Sequence, residues 1–282
     1  MDINVYSIMT KVGPVTADKW QEIKGIKAAI KAALPNSREA ILGSEEPNVL
    51  FVIGGDGTML AAAYSLVTDG YATTCPIVGI NVGKLGFLAD VWPQDIEQMI
   101  EDVIADRVIH DERQTLLTRV VGPDGASSDI ISMNDIVIEP KLSRSTLTYE
   151  VFVNGVSCGD ARANGVVVSS PTGSTAYNLS LGGPIVSPGC SVMTVNPVAP
   201  MMLNTRPIIT SMRDDLQIRF DAVDSLGYEI VSDGRLALSI SEGENIVMVR
   251  GGPSVTFLRK PDWNFYQTLR QKLGWSLPGV KK

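Results

Sequence analysis

The hydrophobic period of this chain changes once, near residue 108, and that change limits the folds open to it. Ahead of it, short apolar runs alternate with helical stripes. Val49-Leu50-Phe51-Val52-Ile53 is an unbroken apolar run that stops at a glycine cluster, as a strand buried on both faces does. Residues 3–8 and Ile77-Val78-Gly79-Ile80 predict two more strands. Between them, Thr16-Ala17-Asp18 offers a hydroxyl cap and an acid for a helix start. Trp20, Ile23, Ile26, Ile30 and Leu34 follow as one apolar stripe ended by Pro35. Residues 59–67 predict a helix, and so does the stripe Ile96, Met99, Ile100, Val103, Ile104. Strand and helix in this alternation predict a parallel sheet in an α/β domain over residues 1–108.

Beyond residue 108 the period is two. Residues 146–154 alternate and meet Asn154-Gly155, a tight-turn pair, while Gly122-Pro123-Asp124-Gly125 predicts a turn between runs at 116–121 and 130–139. Runs at 216–222, 228–232, 236–240, 246–249 and 255–258 continue the pattern, so residues 109–262 predict a mostly antiparallel β domain. Trp263 to Trp275 is helical again through Phe265, Leu269 and Leu273, and residues 263–282 are expected to pack back on the first domain. A length of 282 residues suits two domains.

Composition removes several function classes. With 24 basic and 31 acidic side chains the net charge is −7, the wrong sign for a nucleic-acid or anionic-membrane surface. The N-terminal Met1-Asp2-Ile3-Asn4-Val5 lacks a signal-peptide pattern, and no run approaches the ~18 apolar residues of a membrane span. Cys75, Cys158 and Cys190 form no C-x-x-C pair and suit buried thiols in a reducing compartment, so a cytoplasmic protein is expected. The single histidine, His110, excludes a His/Cys zinc cluster or a multi-histidine metal site. Chemistry here must lean on carboxylates, hydroxyls, backbone amides and a hard metal ion held by oxygen.

Four segments could carry that chemistry. Gly54-Gly55-Asp56-Gly57-Thr58 joins a buried strand to a helix, where backbone N–H groups and the helix N-terminus make a phosphate site. Asp56 among the glycines is explained by Mg²⁺ bridging to phosphate, by proton removal from an attacking hydroxyl, or by an Asx-type turn with no ligand. Asn81-Val82-Gly83-Lys84-Leu85-Gly86 places a lysine between two glycines, and Gly79 to Lys84 is a near miss to a P-loop, with Lys84 either facing phosphate or solvated on a turn. Both turns would lie at strand carboxyl ends, where parallel α/β sheets bind ligands. Asn134-Asp135, in the otherwise apolar run 133–139, reads either as a nucleoside clamp, amide to adenine and carboxylate to ribose, or as a bulge or strand end. In Ser169-Ser170-Pro171-Thr172-Gly173-Ser174-Thr175-Ala176-Tyr177, the hydroxyls of residues 172–175 could donate to phosphate or ribose and Tyr177 could stack on a base, although the composition is also that of an ordinary loop.

Taken together and in order, with Gly182-Gly183-Pro184, Arg206-Pro207, Asp233-Gly234 and the ending Asn264-Phe265-Tyr266 to Trp275, these motifs resemble the NAD kinase family over nearly the whole chain. The resemblance implies a Rossmann-like α/β domain, a β-sandwich and transfer of the terminal phosphoryl group of ATP or polyphosphate to the adenosine-ribose 2′-hydroxyl of NAD. It implies Asp56 as the essential acid, with Mg²⁺, and Gly54, Gly55, Gly57, Thr58 and Lys84 around the phosphate donor in domain 1–108. Asn134, Asp135, Asn164, Thr172, Ser174, Thr175, Ala176 and Tyr177 would hold NAD in domain 109–262. It also implies a dimer or tetramer. Three positions depart from the family pattern: Asn164 stands where an aspartate is usual, Met201 where a histidine follows proline, and Asp135 where glutamate is more frequent. The first two would bear on NAD against NADH. Two other readings share parts of the pattern: a lipid kinase of the diacylglycerol or sphingosine type with the same glycine-aspartate turn, and a non-catalytic NAD(P) sensor.

Overall fold

A computed structural model describes residues 1–11, 16–84, 86–122, 127–142, 145–220, 227–240 and 246–274. Residues 123–125 of the expected turn, Leu85, Ala222 and Trp275 lie outside them. The chain divides into two compact units, residues 1–112 with 255–282, and residues 113–254.

The first unit contains β1 (Val5–Thr10), α1 (Ala17–Ala33), β2 (Arg38–Glu39), β3 (Val49–Gly54), α2 (Asp56–Thr68), β4 (Ile77–Asn81) and α3 (Ile96–Ile104). The strands are parallel in the order β2-β1-β3-β4. Every residue of β3 is buried, which the apolar run demands. Alternate side chains face opposite sides of a strand, so Val49, Phe51 and Ile53 pack with Ile23, Ile26 and Ile30 of α1 and with Met99, Ile100 and Val103 of α3. Leu50 and Val52 are left to the other face, that of α2. Thr16 caps α1 by accepting from the Lys19 amide, as its sequence predicts. Three members of the expected stripes fall outside the core: Trp20, in the first turn of α1, is 45% exposed under the Lys24 ammonium, Ile104 ends α3 exposed, and Leu273 near the C-terminus is exposed as well.

The second unit is built from β5 (Ile109–Val121), β6 (Ser127–Ser132), β7 (Asp135–Pro140), β8 (Leu147–Val153), β9 (Val156–Ala163), β10 (Gly165–Ser169), α4 (Tyr177–Ser180), β11 (Val192–Val198), β12 (Ile208–Ser211), β13 (Leu216–Phe220), β14 (Tyr228–Ser232), β15 (Arg235–Ile240) and β16 (Ile246–Arg259), the first and last of these strands shared with the other unit. One antiparallel sheet runs β12-β11-β10-β7-β14-β15, and another contains β16-β13-β8-β9 with the β5-β6 pair. Inward side chains from both, among them Ile136, Val166, Met193 and Ile230 on one side and Tyr149, Leu216, Ile218 and Val247 on the other, share one core. This is the expected β-sandwich. The helix α5 (Phe265–Leu273), capped by Asn264, follows in the first unit.

Three expectations are corrected. The run 130–139 is not one strand: β6 ends at Ser132 and β7 begins at Asp135 in the other sheet. The runs 246–249 and 255–258 are one strand, because Gly251 and Gly252 serve close packing rather than a turn. A side chain at Gly251 would collide with Gln114, and one at Gly252 with Thr115. The Gly251 amide donates to the Met212 carbonyl (2.8 Å) and the Thr115 hydroxyl to the Pro253 carbonyl (2.8 Å). Of the three thiols only Cys75 is buried; Cys158 and Cys190 are exposed.

At the end of β16, Arg259 is completely buried in the first unit. Its Nε donates to Asp111 Oδ2 (2.9 Å), and its Nη1 to Asp90 Oδ1 (2.9 Å) and the Leu88 carbonyl (2.6 Å). The guanidinium lies 5.0 Å from the ring centres of both Phe257 and Trp263. Removing one partner of a buried ion pair strands the others without water, so Arg259→Met is expected to destabilise the protein by about 3–5 kcal/mol in urea unfolding. Wild-type stability in that variant would refute the assignment.

Candidate active site

Strand β1 leads outward through α1 to β2, whereas β3 leads the other way through α2 to β4. The carboxyl ends of β1 and β3 therefore form a topological switch point, where an open α/β sheet has a natural crevice. A cavity of about 670 Å³ lies there. Lys11 follows β1, Gly54 and Gly55 end β3, Lys19 projects from α1, and Gly57 and Thr58 belong to the first turn of α2. Two lysines facing backbone N–H groups at a helix N-terminus suit a polyanion. Lys84, the cation expected from the sequence, is exposed and does not line this cavity. Lys11 and Lys19 escaped the sequence reading because nothing in their local pattern distinguishes them from solvated residues, and Thr16 was expected only as a helix cap.

Gly55 is the N-cap of α2 and Asp56 its first residue, a position where the helix dipole favours a carboxylate. Asp56 is not a self-contained Asx turn. Its Oδ2 accepts from the Phe87 amide (2.9 Å), and its Oδ1 accepts from the Leu88 (2.9 Å) and Ala89 (3.4 Å) amides. Any side chain at Gly86 would collide with the carboxylate, which explains a glycine there. The two glycine motifs of the first unit are thus one structure, an acid held by the loop that follows β4. Beside it, Asn81 at the end of β4 is 1% exposed and its side-chain amide has no protein partner.

The described residues include no cluster of three or more His, Cys, Asp or Glu able to cage a metal. Magnesium needs less, since it is commonly held by one or two carboxylates together with substrate phosphates and water. A carboxylate offers about four lone-pair sites, and three backbone donors leave Asp56 one, on Oδ2. With the orphaned Asn81 amide on the strand position paired with Gly54, the donor set fits an ion that arrives with a nucleotide.

In the second unit, Asp233 organises the other candidate residues. Asp233 and Gly234 are the two-residue loop of the β14-β15 hairpin, both with positive φ (48° and 74°), as a tight hairpin turn requires. The Asp233 carboxylate accepts from the amides of Met133 (2.8 Å), Asn134 (2.7 Å) and Asp135 (3.2 Å). Those bonds replace the ladder and produce the break between β6 and β7. Asp135, 5% exposed, accepts in turn from the Tyr177 amide. Burial, and then the neighbouring Asp233, push the Asp135 carboxyl up to about 7. Burial also raises Asp233, against the pull of its three amide donors. The sequence places Asp233-Gly234 among the family motifs but assigns Asp233 no role, because its partners lie about 100 positions away.

The hydroxyl-rich loop wraps the same break. The Ser170 hydroxyl donates to the Met133 carbonyl (2.6 Å), and Gly173 lies so close to the Asn134 carbonyl that no side chain fits. Ser174 is fully buried, donating to the Pro171 carbonyl and accepting from the Val186 amide, so its hydroxyl closes the loop on itself. Thr172 is buried with its hydroxyl 3.3 Å from Arg113 Nη1. Asn178, fully buried, anchors α4 by accepting from Thr194 and Asn196 and donating to the Pro184 carbonyl. Of the expected set, Thr175 and Ala176 stay partly exposed and Tyr177 is 40% exposed. Asn164 lies between β9 and β10 and donates to the Ser145 carbonyl (3.3 Å). His110, by contrast, is an exposed residue paired with Asp106.

A glycine-aspartate turn beside a crevice lined by two lysines, followed by a β-sandwich with a pair of neighbouring carboxylates, suits the phosphotransferase class. Comparison with known proteins supports that class. Residues 11–108 match the ATP-NAD kinase N-terminal domain and residues 133–260 the ATP-NAD kinase C-terminal domain. The NAD kinases of Salmonella enteritidis and Salmonella typhimurium are each 33% identical over 243 residues, covering 86% of this chain and 81% of theirs. The chain belongs to the NAD kinase family. Its fold is also that of yeast NADH kinase, solved with NADH (TM-score 0.85, 20% identity, 99% of this chain and 90% of that one). An NAD kinase from Archaeoglobus fulgidus, solved with ATP, shares it too (TM-score 0.68, 19% identity, 96% and 97%). None of the described helices is long and apolar enough to cross a membrane.

The raised Asp135 pKa carries a stability prediction. Its folded value, about 7, exceeds the ordinary 3.8, so the folded state holds the proton more tightly. The stability this group contributes is present below about pH 4 and is lost as pH rises toward 7. Asp135→Asn keeps an acceptor for the Tyr177 amide and removes the titration. Relative to wild type, it is expected to gain stability between pH 5 and pH 8 in urea unfolding. Parallel pH profiles for the two proteins would contradict this.

Proposed function

We propose that this NAD kinase transfers the terminal phosphoryl group of ATP, or of polyphosphate, to the 2′-hydroxyl of the adenosine ribose of NAD, giving NADP. The observation that carries the reading is Asp56, fixed by three backbone amides at the mouth of a glycine turn with one acceptor site left on Oδ2.

In this reading the cavity at the β1/β3 switch takes the donor, with Lys11, Lys19 and the N–H groups of the α2 first turn facing its phosphates. Asn134, Asp135, Asn164, Thr175, Ala176 and Tyr177 hold the dinucleotide. Asp135 accepts from ribose hydroxyls, and Tyr177 offers a ring to a base. Thr172 and Ser174 act from within, by shaping the loop. Asp56 Oδ2 accepts the 2′-hydroxyl proton as that oxygen bonds to the terminal phosphorus, and the bond from phosphorus to the bridging oxygen breaks to release ADP or a shortened polyphosphate. Positioning and charge, rather than a strong nucleophile, dominate such a transfer, which suits a chain with one exposed histidine. Mg²⁺, carried by the donor, would neutralise phosphate charge when bound; the single free site on Asp56 Oδ2 could serve that ion or the hydroxyl proton, and this reading gives it to the proton. A dimer or tetramer in the cytoplasm is part of the same proposal.

NADP formation should appear with Mg²⁺ and either ATP or polyphosphate, with NAD compared against NADH as acceptor. Asp56→Asn is expected to lower kcat by about 10² or more while NAD binds within about threefold of wild type. No turnover from folded wild-type protein with any donor, or full turnover in the variant, would overturn the reading.

A further inference from the structure

We propose that Lys272, on the C-terminal helix, is a positioning residue for phosphoryl transfer: its ammonium offsets the charge of Asp56 and orients Oδ2 toward the acceptor hydroxyl. This rests on the reading of Asp56 as the group that takes the hydroxyl proton.

Lys272 Nζ lies 3.9 Å from Asp56 Oδ2, and among the described residues it pairs with no other carboxylate. That separation is too long for a direct hydrogen bond but within ion-pair range. The ammonium thus faces the one carboxylate oxygen that keeps an uncommitted acceptor site, and it does so without occupying that site. Oδ1 is turned away by its bonds to Leu88 and Ala89.

The position is built rather than incidental. The Lys272 ammonium sits 5.1 Å from the centre of the Phe87 ring, on the loop that holds Asp56, and Phe87 packs against Phe265 at the start of α5 with ring centres 6.5 Å apart. Asn264 caps that helix by accepting from the Tyr266 and Gln267 amides, and Gly274 ends it in the left-handed conformation, so both ends of α5 are fixed. Lys272 in the last turn also meets the negative end of the helix dipole.

Stability does not account for the arrangement. Both side chains are partly open to water (27% and 34% exposed), where an ion pair contributes little. Electrostatics at the reaction does account for it. A carboxylate next to a polyphosphate repels the group it must work beside, and a cation on its free oxygen lowers that repulsion as charge develops. The ammonium keeps its proton throughout; only the hydroxyl proton moves, to Oδ2.

The test measures kcat and KM for ATP and NAD in wild type, Lys272→Met, Lys272→Arg and Asp56→Asn, with thermal unfolding of each. Lys272→Met is expected to lower kcat about tenfold or more, with both KM values within about twofold and an unchanged melting temperature. Arginine, which restores the charge, should recover kcat to within about threefold. Wild-type kcat in Lys272→Met, or a folded Lys272→Arg no faster than Lys272→Met, overturns the proposal. Inactive Asp56→Asn beside fully active Lys272→Met removes this proposal alone, whereas active Asp56→Asn removes its premise.

Discussion

A single guanidinium holds together the part of the first unit that carries the acid. Arg259 gives its hydrogen bonds to Asp111, Asp90 and the Leu88 carbonyl, in a position sealed from water. Leu88 is the hinge of the arrangement: its carbonyl is held by Arg259 and its amide by Asp56. One residue of the loop is therefore fixed through both of its peptide groups, by a buried cation and by a partly exposed anion. Buried charge of this kind is a poor source of net stability, because desolvation consumes most of the attraction. Its effect is on geometry, since each member tolerates only the arrangement that satisfies the others.

The second unit uses the same device with a different outcome. Asp233 accepts from the amides of residues 133–135, as Asp56 does from those of 87–89. In both cases a carboxylate takes over hydrogen bonds that a strand ladder would have supplied, and so ends regular structure where a ligand can be met. The difference is water. Asp56 remains about a third exposed, whereas Asp135 is buried beside the partly buried Asp233, so burial and then the neighbouring charge raise Asp135, and burial raises Asp233.

The fold was largely legible because period and punctuation are local. The five-residue run at 49–53, the Thr16 cap and the Asn154-Gly155 turn each state their conformation within a few residues. Failures arose where a partner lies far away. Nothing near Met133 announces that Asp233 will interrupt the strand, and nothing near Gly251-Gly252 announces that Gln114 and Thr115 will press against it. The same limit governed the site. The motif glycines were visible, yet the reason for two of them, room for the Asp56 carboxylate at Gly86 and for the Asn134 carbonyl at Gly173, is a contact across loops. Lys84 attracted attention through its motif, whereas Lys11 and Lys19 reach the crevice only because β1 ends and α1 begins beside β3.

The division of the chain gives the molecule an order of assembly. The first unit is interrupted after residue 112 and resumes at 255, so everything between is an insertion into a sheet that is not yet complete. During synthesis the strands β1 to β4 emerge first, but the segment that pairs Phe257 with Ile77 and brings Arg259 to Leu88 arrives only after the whole sandwich has left the ribosome. A nascent or truncated chain can therefore display the glycine-aspartate turn without the clamp that fixes its acid, and the loop that holds Asp56 is among the last parts of the protein to take shape.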